Sequence, residues 1–180
     1  MQSPQVEERI HPDNYMFSRH LFAYRVAERF LVKNGIAVDV GSGDGYGVRF
    51  LAEHDARAIG VDRDPVATTG AEKYASARCS FVQGDAHTIP LRSGQASLVT
   101  SMQVLEHLHN PEQYVAEIRR ILRSDGTAVI STPYRDSAAF RFQAEVSPYH
   151  VQEYDPKGLH ALLAPFFQEV QIHGVRFRSG

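Results

Sequence analysis

Residues 38–47 read Val-Asp-Val-Gly-Ser-Gly-Asp-Gly-Tyr-Gly, an apolar run that stops in four glycines at alternate positions, Gly41, Gly43, Gly45 and Gly47. Few patterns constrain a chain more. Alternate glycines let the backbone pass close to a ligand where a Cβ would block it. A helix that follows aims its unpaired N–H groups and positive end at an anionic group. A buried strand, a glycine loop and a helix in succession belong to an α/β sheet that binds its ligand at the carboxyl ends of the strands.

The rest of the chain agrees with that architecture. Short apolar runs at Ile36–Val40, Ala58–Val61, Ser80–Val82, Leu98–Ser101 and Thr127–Ser131 are spaced as strands buried on both faces. Helical patterns separate them, which predicts a doubly wound, mostly parallel sheet with helices on both faces. An opening helix is expected from about Asn14 to Lys33, with Leu21, Phe22, Val26 and Phe30 on its buried face and Gly35 ending it. The helix beginning at Asn110 has Pro111 in its first position and Gln113 placed for a capping box. Its buried stripe is Tyr114, Val115, Ile118, Ile121 and Leu122, with Gly126 closing it. Asp155 and Pro156 start a further short helix that buries Leu159, Leu162 and Leu163. With 180 residues and 43% hydrophobic content, residues 1–180 are expected to form a single domain. Residues 1–35 would be an N-terminal helical cap, and 134–154 an insertion on the acceptor side. A formal charge of -2 gives no bulk electrostatic reason to bind nucleic acid or an anionic membrane. One cysteine supports no disulfide framework, no apolar run is long enough to span a bilayer, and the polar start is unlike a signal peptide, so a cytoplasmic protein is expected.

Three ligands compete for the glycine loop. A nucleoside triphosphate needs a lysine and a Ser or Thr behind the last glycine, where this chain has Val48 and Arg49. A dinucleotide prefers G-x-G-x-x-G, which would put a glycine where Tyr46 stands. S-adenosylmethionine carries no phosphate. It needs room for its methionine part, donors for its carboxylate and an acidic residue such as Asp39 near its ammonium. Asp62, at the end of the next strand, is placed to accept from ribose hydroxyls and suits NAD equally. Asp85, after the third strand, could accept from an adenine amino group beside the small Ala86.

These residues resemble the class I S-adenosylmethionine-dependent methyltransferases, particularly the small-molecule type. The match runs through Asp39 to Gly45, Val61-Asp62, Gly84-Asp85-Ala86, Ile89-Pro90-Leu91, Val104 to Leu108, Arg123 to Gly126 and Ser131-Thr132-Pro133. The resemblance implies a seven-stranded sheet whose last strand is antiparallel, with S-adenosyl-L-methionine across the carboxyl ends of the first strands. Asp39, Gly41, Ser42, Gly43 and Gly45 would surround the methionine part, and Asp62 with Arg63 the ribose. Asp85 and Ala86 would meet the adenine, and Met102 and Gln103 the rim after the fourth strand. The residues after a sixth strand at Gln168–Ile172 are too few for the closing strand, which points to a truncated chain or a homodimer through an exposed edge.

Methyl transfer requires the acceptor lone pair to lie in line with the methyl carbon, and an oxygen acceptor of high pKa gains from a base. His107 and His150 are the candidates. Glu106, His107, His109, His150 and Glu153 together could hold a divalent metal. In the RNA 3′-end methyltransferases and some quinone-precursor methyltransferases, an acidic residue three positions before the Glu-His pair contributes. That position is Gln103 here, and no metal is expected. The Asn/Asp-Pro-Pro-aromatic motif of amino-methylating DNA enzymes is absent after the fourth strand. Cys79 begins a buried strand rather than serving as a nucleophile, and Arg119, Arg120 and Arg123 read as a solvated face, so nucleic acid is not the expected partner. Acceptor choice would come from a lid of Tyr15, Arg19, His20 and Tyr24, and from Phe140, Arg141, Phe142, Tyr149 and His150. Their mix of aromatic and charged groups suits a small-molecule or glycan acceptor. Two alternatives to a methyltransferase stand beside this reading: an NAD(P)-binding oxidoreductase, and a non-catalytic or partner-dependent S-adenosylmethionine-binding protein.

Overall fold

The computed structural model describes residues 15–54, 56–134 and 149–174, with side chains from residue 20 onward. Phe140, Arg141 and Phe142 lie outside the described residues, as do the side chains of Tyr15 and Arg19. The elements in chain order are α1 (Tyr15–Glu28), β1 (Ile36–Val40), α2 (Tyr46–Glu53), β2 (Arg57–Asp62), α3 (Pro65–Ala71) and β3 (Cys79–Gln83). There follow β4 (Ala96–Met102), α4 (Pro111–Ile121), β5 (Leu122–Ser131) and α5 (Pro156–Leu163), with one-turn 3-10 helices at Glu72–Tyr74 and Leu105–His107. The strands form one sheet in the order β3-β2-β1-β4-β5, every pairing parallel.

Side chains alternate across the sheet. Val38, Val40, Val61 and Val99 join Tyr114, Val115, Ile118 and Ile121 of α4 and Leu163 of α5 in one core layer. Ala37, Ala58, Leu98 and Met102 join Tyr24 and Ala27 of α1 and Val48 and Leu51 of α2 in the other. All of β4 is buried, as a central strand covered on both faces must be. The chain reverses direction of travel across the sheet between β1 and β4, and at this switch point the carboxyl ends of an open α/β sheet leave a crevice.

Several expectations are corrected. The opening helix stops at Glu28, and it buries Leu21, Tyr24 and Ala27 while Phe22 and Phe30 are 43% and 45% exposed. A three-residue spacing therefore meets the sheet. Asn34, with φ 59°, and the Gly35 N–H bonded to the Val32 carbonyl turn the chain into β1. Asn110 makes no side-chain cap on α4, and Gln113 closes no capping box but donates its amide to the His87 carbonyl. Gly126 does not close α4, which ends at Ile121. It lies within β5, where a Cβ would come within 2.8 Å of Leu122. Arg120 is no solvated bystander either. It grips Glu117 at 2.6 and 2.7 Å and donates to the carbonyls of Ile89 and Leu91, tying that loop to α4. Residues 168–172 form no strand, since no neighbouring strand supplies partners for their backbone among the described residues, although Val170 and the preceding Phe166 and Phe167 still pack on the core. Five parallel strands are thus described, rather than seven with an antiparallel edge. Cys79 is buried at the start of β3, and Asp155 caps α5 by accepting from the Gly158 N–H at 2.6 Å, both as expected.

Candidate functional site

The glycine loop leaves β1 at the switch point and turns back on itself through φ values of 77°, 51° and 84° at Gly41, Gly43 and Gly45, a region side chains rarely occupy. The Gly41 and Ser42 N–H groups both donate to the Val61 carbonyl, stitching the loop to the end of β2. A Cβ on Gly41 would collide with Val104, and one on Gly45 would come within 2.8 Å of Phe81 and Ala71. A Cβ on Gly43 would meet nothing within 4 Å, so open space lies against the backbone at the middle of the loop. Gly45 precedes α2 and makes no side-chain cap, and the Tyr46 N–H reaches Asp44 Oδ1 only at 3.5 Å, so this helix end can still turn its N–H groups to an anion. Gly47 has a different task. A Cβ there would strike the ring of Tyr24, so this glycine lets α1 lie close on α2.

Asp39 is 1% exposed and held from two sides: the Tyr24 hydroxyl donates to Oδ2 at 2.9 Å and the Thr100 hydroxyl to Oδ1 at 2.6 Å. Burial pushes its pKa up to about 7, although both hydrogen bonds favour the carboxylate; the nearby Asp62 adds a smaller upward push. Tyr24, expected in a lid over the acceptor, is instead buried with its hydroxyl on this carboxylate, and Thr100 completes the pair. The signal lay in β4, whose Thr100 is directly opposite Asp39 in the strand register, two polar residues inside otherwise apolar runs. One helix turn before Tyr24, His20 Nδ1 lies 2.9 Å from the Tyr46 hydroxyl, so α1 reaches the first residue of α2 as well.

Asp62 closes the other side of the loop. It accepts from the Gly43 N–H at 2.8 Å through Oδ2 and from the Asp64 N–H at 2.9 Å through Oδ1. Arg63 beside it is exposed and offers its carbonyl to Gln83. Asp85, at the carboxyl end of β3, accepts from the His87 N–H at 2.7 Å and faces His87 Nδ1 at 2.9 Å. These contacts hold its carboxyl below the usual range. Ala86 is partly buried on the core and Met102 is buried at the end of β4. Gln103 follows in the left-handed region, with φ 59°, its N–H on the Ser131 carbonyl and its amide on the Ser131 hydroxyl. The residues expected at the cofactor therefore gather along the ends of β1, β2, β3 and β4.

A second cluster lies just beyond β4. Val104, which packs on Gly41, leads into the turn Leu105–His107. The Glu106 carbonyl accepts from the N–H groups of Val151 and Gln152, which docks the returning chain and brings His150 to His107 with ring centroids 4.9 Å apart. Oxygen and nitrogen atoms of Glu106, His107 and His150 lie within 4.8 Å of one another. Glu106 is 1% exposed; Thr132 donates to its Oε2 at 3.1 Å, and burial raises its pKa. His109 is exposed and outside this group, and Glu153 bonds to His150 Nδ1 at 3.1 Å. Among the described residues, no helix is long and apolar enough to cross a membrane.

The chain is 32% identical over 160 residues to the Mycolicibacterium smegmatis protein named "Probable S-adenosylmethionine-dependent methyltransferase", covering 88% of this chain and 61% of that one. It therefore spans about three fifths of that relative's length. It is also 36% identical over 101 residues to "Probable tocopherol O-methyltransferase, chloroplastic" of Oryza sativa subsp. japonica, covering 53% of this chain and 28% of that protein. Among solved structures, a chain of the Haloferax volcanii complex between the Trm112 methyltransferase activator and a methyltransferase superposes with a TM-score of 0.73. The identity is 23%, over 86% of this chain and 70% of that chain, and the likeness speaks for the fold alone. The family profile described as "Methyltransferase domain" matches residues 38–130, which hold the glycine loop, all five strands bar the first two residues of β1 and the last of β5, and the turn at Glu106. With more than half of its length in that match, the chain belongs to the methyltransferase domain family.

Proposed function

We propose that the chain is one cytoplasmic domain that binds S-adenosyl-L-methionine in the loop Gly41–Gly45 and moves its methyl group to oxygen on a small-molecule or glycan acceptor. What carries this reading is the open space at Gly43, whose N–H is held by Asp62, in a loop that leaves the strand carrying Asp39. That arrangement fits a ligand with an ammonium, a carboxylate and a ribose. The N-terminal end of α2 serves the carboxylate, Asp39 the ammonium, Asp62 the ribose hydroxyls and Asp85 the adenine amino group. The bound cofactor supplies an activated methyl group on a sulfonium. The chain's own work is to hold the acceptor oxygen in line and to take its proton. His107 Nδ1 faces the Tyr149 carbonyl, so that nitrogen carries the proton and Nε2 keeps the lone pair. His150 is placed alike by Glu153. The rice relative, named for methyl transfer to oxygen of tocopherol, supports an oxygen acceptor.

The test is an acceptor panel with methyl-labelled cofactor. Label is expected on hydroxyl-bearing small molecules or glycans. Transfer confined to tRNA, DNA or protein would contradict the acceptor class.

A further inference from the structure

We propose that Glu106, His107 and His150 form a binding site for one divalent transition-metal ion, a three-ligand site of two imidazoles and one carboxylate. Three independent features of the cluster point to it. Both histidines have Nδ1 committed to an outer acceptor: His107 to the Tyr149 carbonyl at 3.0 Å, His150 to Glu153 at 3.1 Å. A carbonyl or carboxylate at that distance fixes the proton on Nδ1, which leaves the lone pair on Nε2. Orienting a metal-ligating histidine through an outer carboxylate or carbonyl in this way is the usual second layer of a metal centre. Next, among the described residues, Oε1 of Glu106 is buried without a hydrogen-bond partner while Oε2 is satisfied by Thr132. A buried carboxylate oxygen left unpaired is costly, and a cation beside it removes that cost. Finally, one ligand atom from each of the three residues already lies within 4.8 Å of the other two, and ligands ~2.0–2.2 Å from one ion need only draw in to roughly 3.4 Å apart.

The absence of an acidic residue at position 103 does not oppose this site. Gln103 is turned to Ser131 and contributes nothing, and three protein ligands with open positions are a sufficient set. Two imidazoles favour zinc, iron, nickel or copper over magnesium, calcium or manganese. Resting on the proposed function, an ion here would sit one short turn from the cofactor loop and offer its open positions to the acceptor oxygen. His107 and His150 would then act as ligands rather than as free bases.

The experiment is titration of the metal-free full chain with Co²⁺, followed by its visible d–d absorption, and with Zn²⁺ by competition. One equivalent is expected to bind, and Glu106→Gln, His107→Asn and His150→Asn should each weaken it at least tenfold. Glu153→Gln should weaken it roughly 10- to 100-fold as a positioning change. His160→Asn, at an exposed position of α5, should leave it unchanged. Thermal melts in chelator check that each variant folds, and His107→Asn, on an exposed side chain, keeps the test open if Glu106→Gln does not. Binding of S-adenosylhomocysteine, measured in parallel, reports the cofactor reading separately. Co²⁺ binding no tighter to the parent than to the His107→Asn/His150→Asn double variant would overturn the metal site, whatever the cofactor result.

Discussion

Asp39 is a carboxylate in the interior of a strand, and its surroundings predict how the protein responds to pH. Its folded-state pKa of about 7 lies above the ordinary 3.8, so between those values the folded chain keeps a proton that the unfolded chain releases. The stability linked to that proton is full below pH ~4 and is lost as pH rises through ~7. Asp39→Asn removes the titration. Between pH 5 and pH 8 its unfolding free energy should gain about 2–3 kcal/mol relative to the parent, read from denaturant melts at the two pH values. Tyr24→Phe takes one donor from the buried carboxylate and should destabilise the fold by about 1–3 kcal/mol at pH 8, with a smaller cost at pH 5. A cofactor ammonium beside Asp39 would draw its pKa back down. Binding of S-adenosylhomocysteine at pH 6.5 should then release protons, seen as a calorimetric enthalpy that varies with the buffer's own ionisation enthalpy. An enthalpy independent of buffer would contradict the ammonium assignment. Asp39, Asp62 and Asp85 were legible because charged residues inside or just after apolar runs have few other uses. The sequence did not reveal Tyr24 as the donor, since that contact joins residues 15 apart on a helix and a strand.

Elements show where periodicity is sufficient and where it is not. The five strands and α4 stood out because their runs are dominated by apolar residues, with few polar breaks. The buried face of α1 was misread because Leu21, Phe22, Val26 and Phe30 form an equally apolar stripe, and only packing against α2 selects Leu21, Tyr24 and Ala27 instead. Gly47 marks that packing. Gly47→Ala should cost about 1–3 kcal/mol by overpacking Tyr24, although alanine is the better helix former. On the opposite side, Arg120 links α4 to the carbonyls of Ile89 and Leu91 while its partner Glu117 accepts from the Ile89 N–H. Arg120→Ala should loosen that loop, seen as faster amide exchange at Ile89 and Leu91, with a loss of about 1–3 kcal/mol from the unsatisfied carbonyls and carboxylate.

At the scale of the whole molecule, one glycine loop, three carboxylates at or near strand ends and a docked histidine pair converge on the carboxyl ends of a parallel sheet. Most of that convergence was readable, because a doubly wound order places the ends of successive strands side by side. His107 and His150 were legible as candidate bases and metal ligands, but what docks them together was not. The docking depends on the hydrogen bonds from Val151 and Gln152 to the Glu106 carbonyl, and backbone contacts between distant segments leave no mark on side-chain pattern. The missing sixth strand has the same origin, since strands are defined by partners and residues 168–172 have none among the described residues. The central claim is that the loop between β1 and α2 is a methionine cradle and not a dinucleotide site. Calorimetry of the parent chain and Asp62→Ala with S-adenosylhomocysteine and with NAD⁺ tests it most directly. The account predicts saturable binding of S-adenosylhomocysteine, weakened by ~1.5–3 kcal/mol in Asp62→Ala, and no binding of NAD⁺. NAD⁺ binding without S-adenosylhomocysteine binding, or equal affinity for the latter in both proteins, would contradict it.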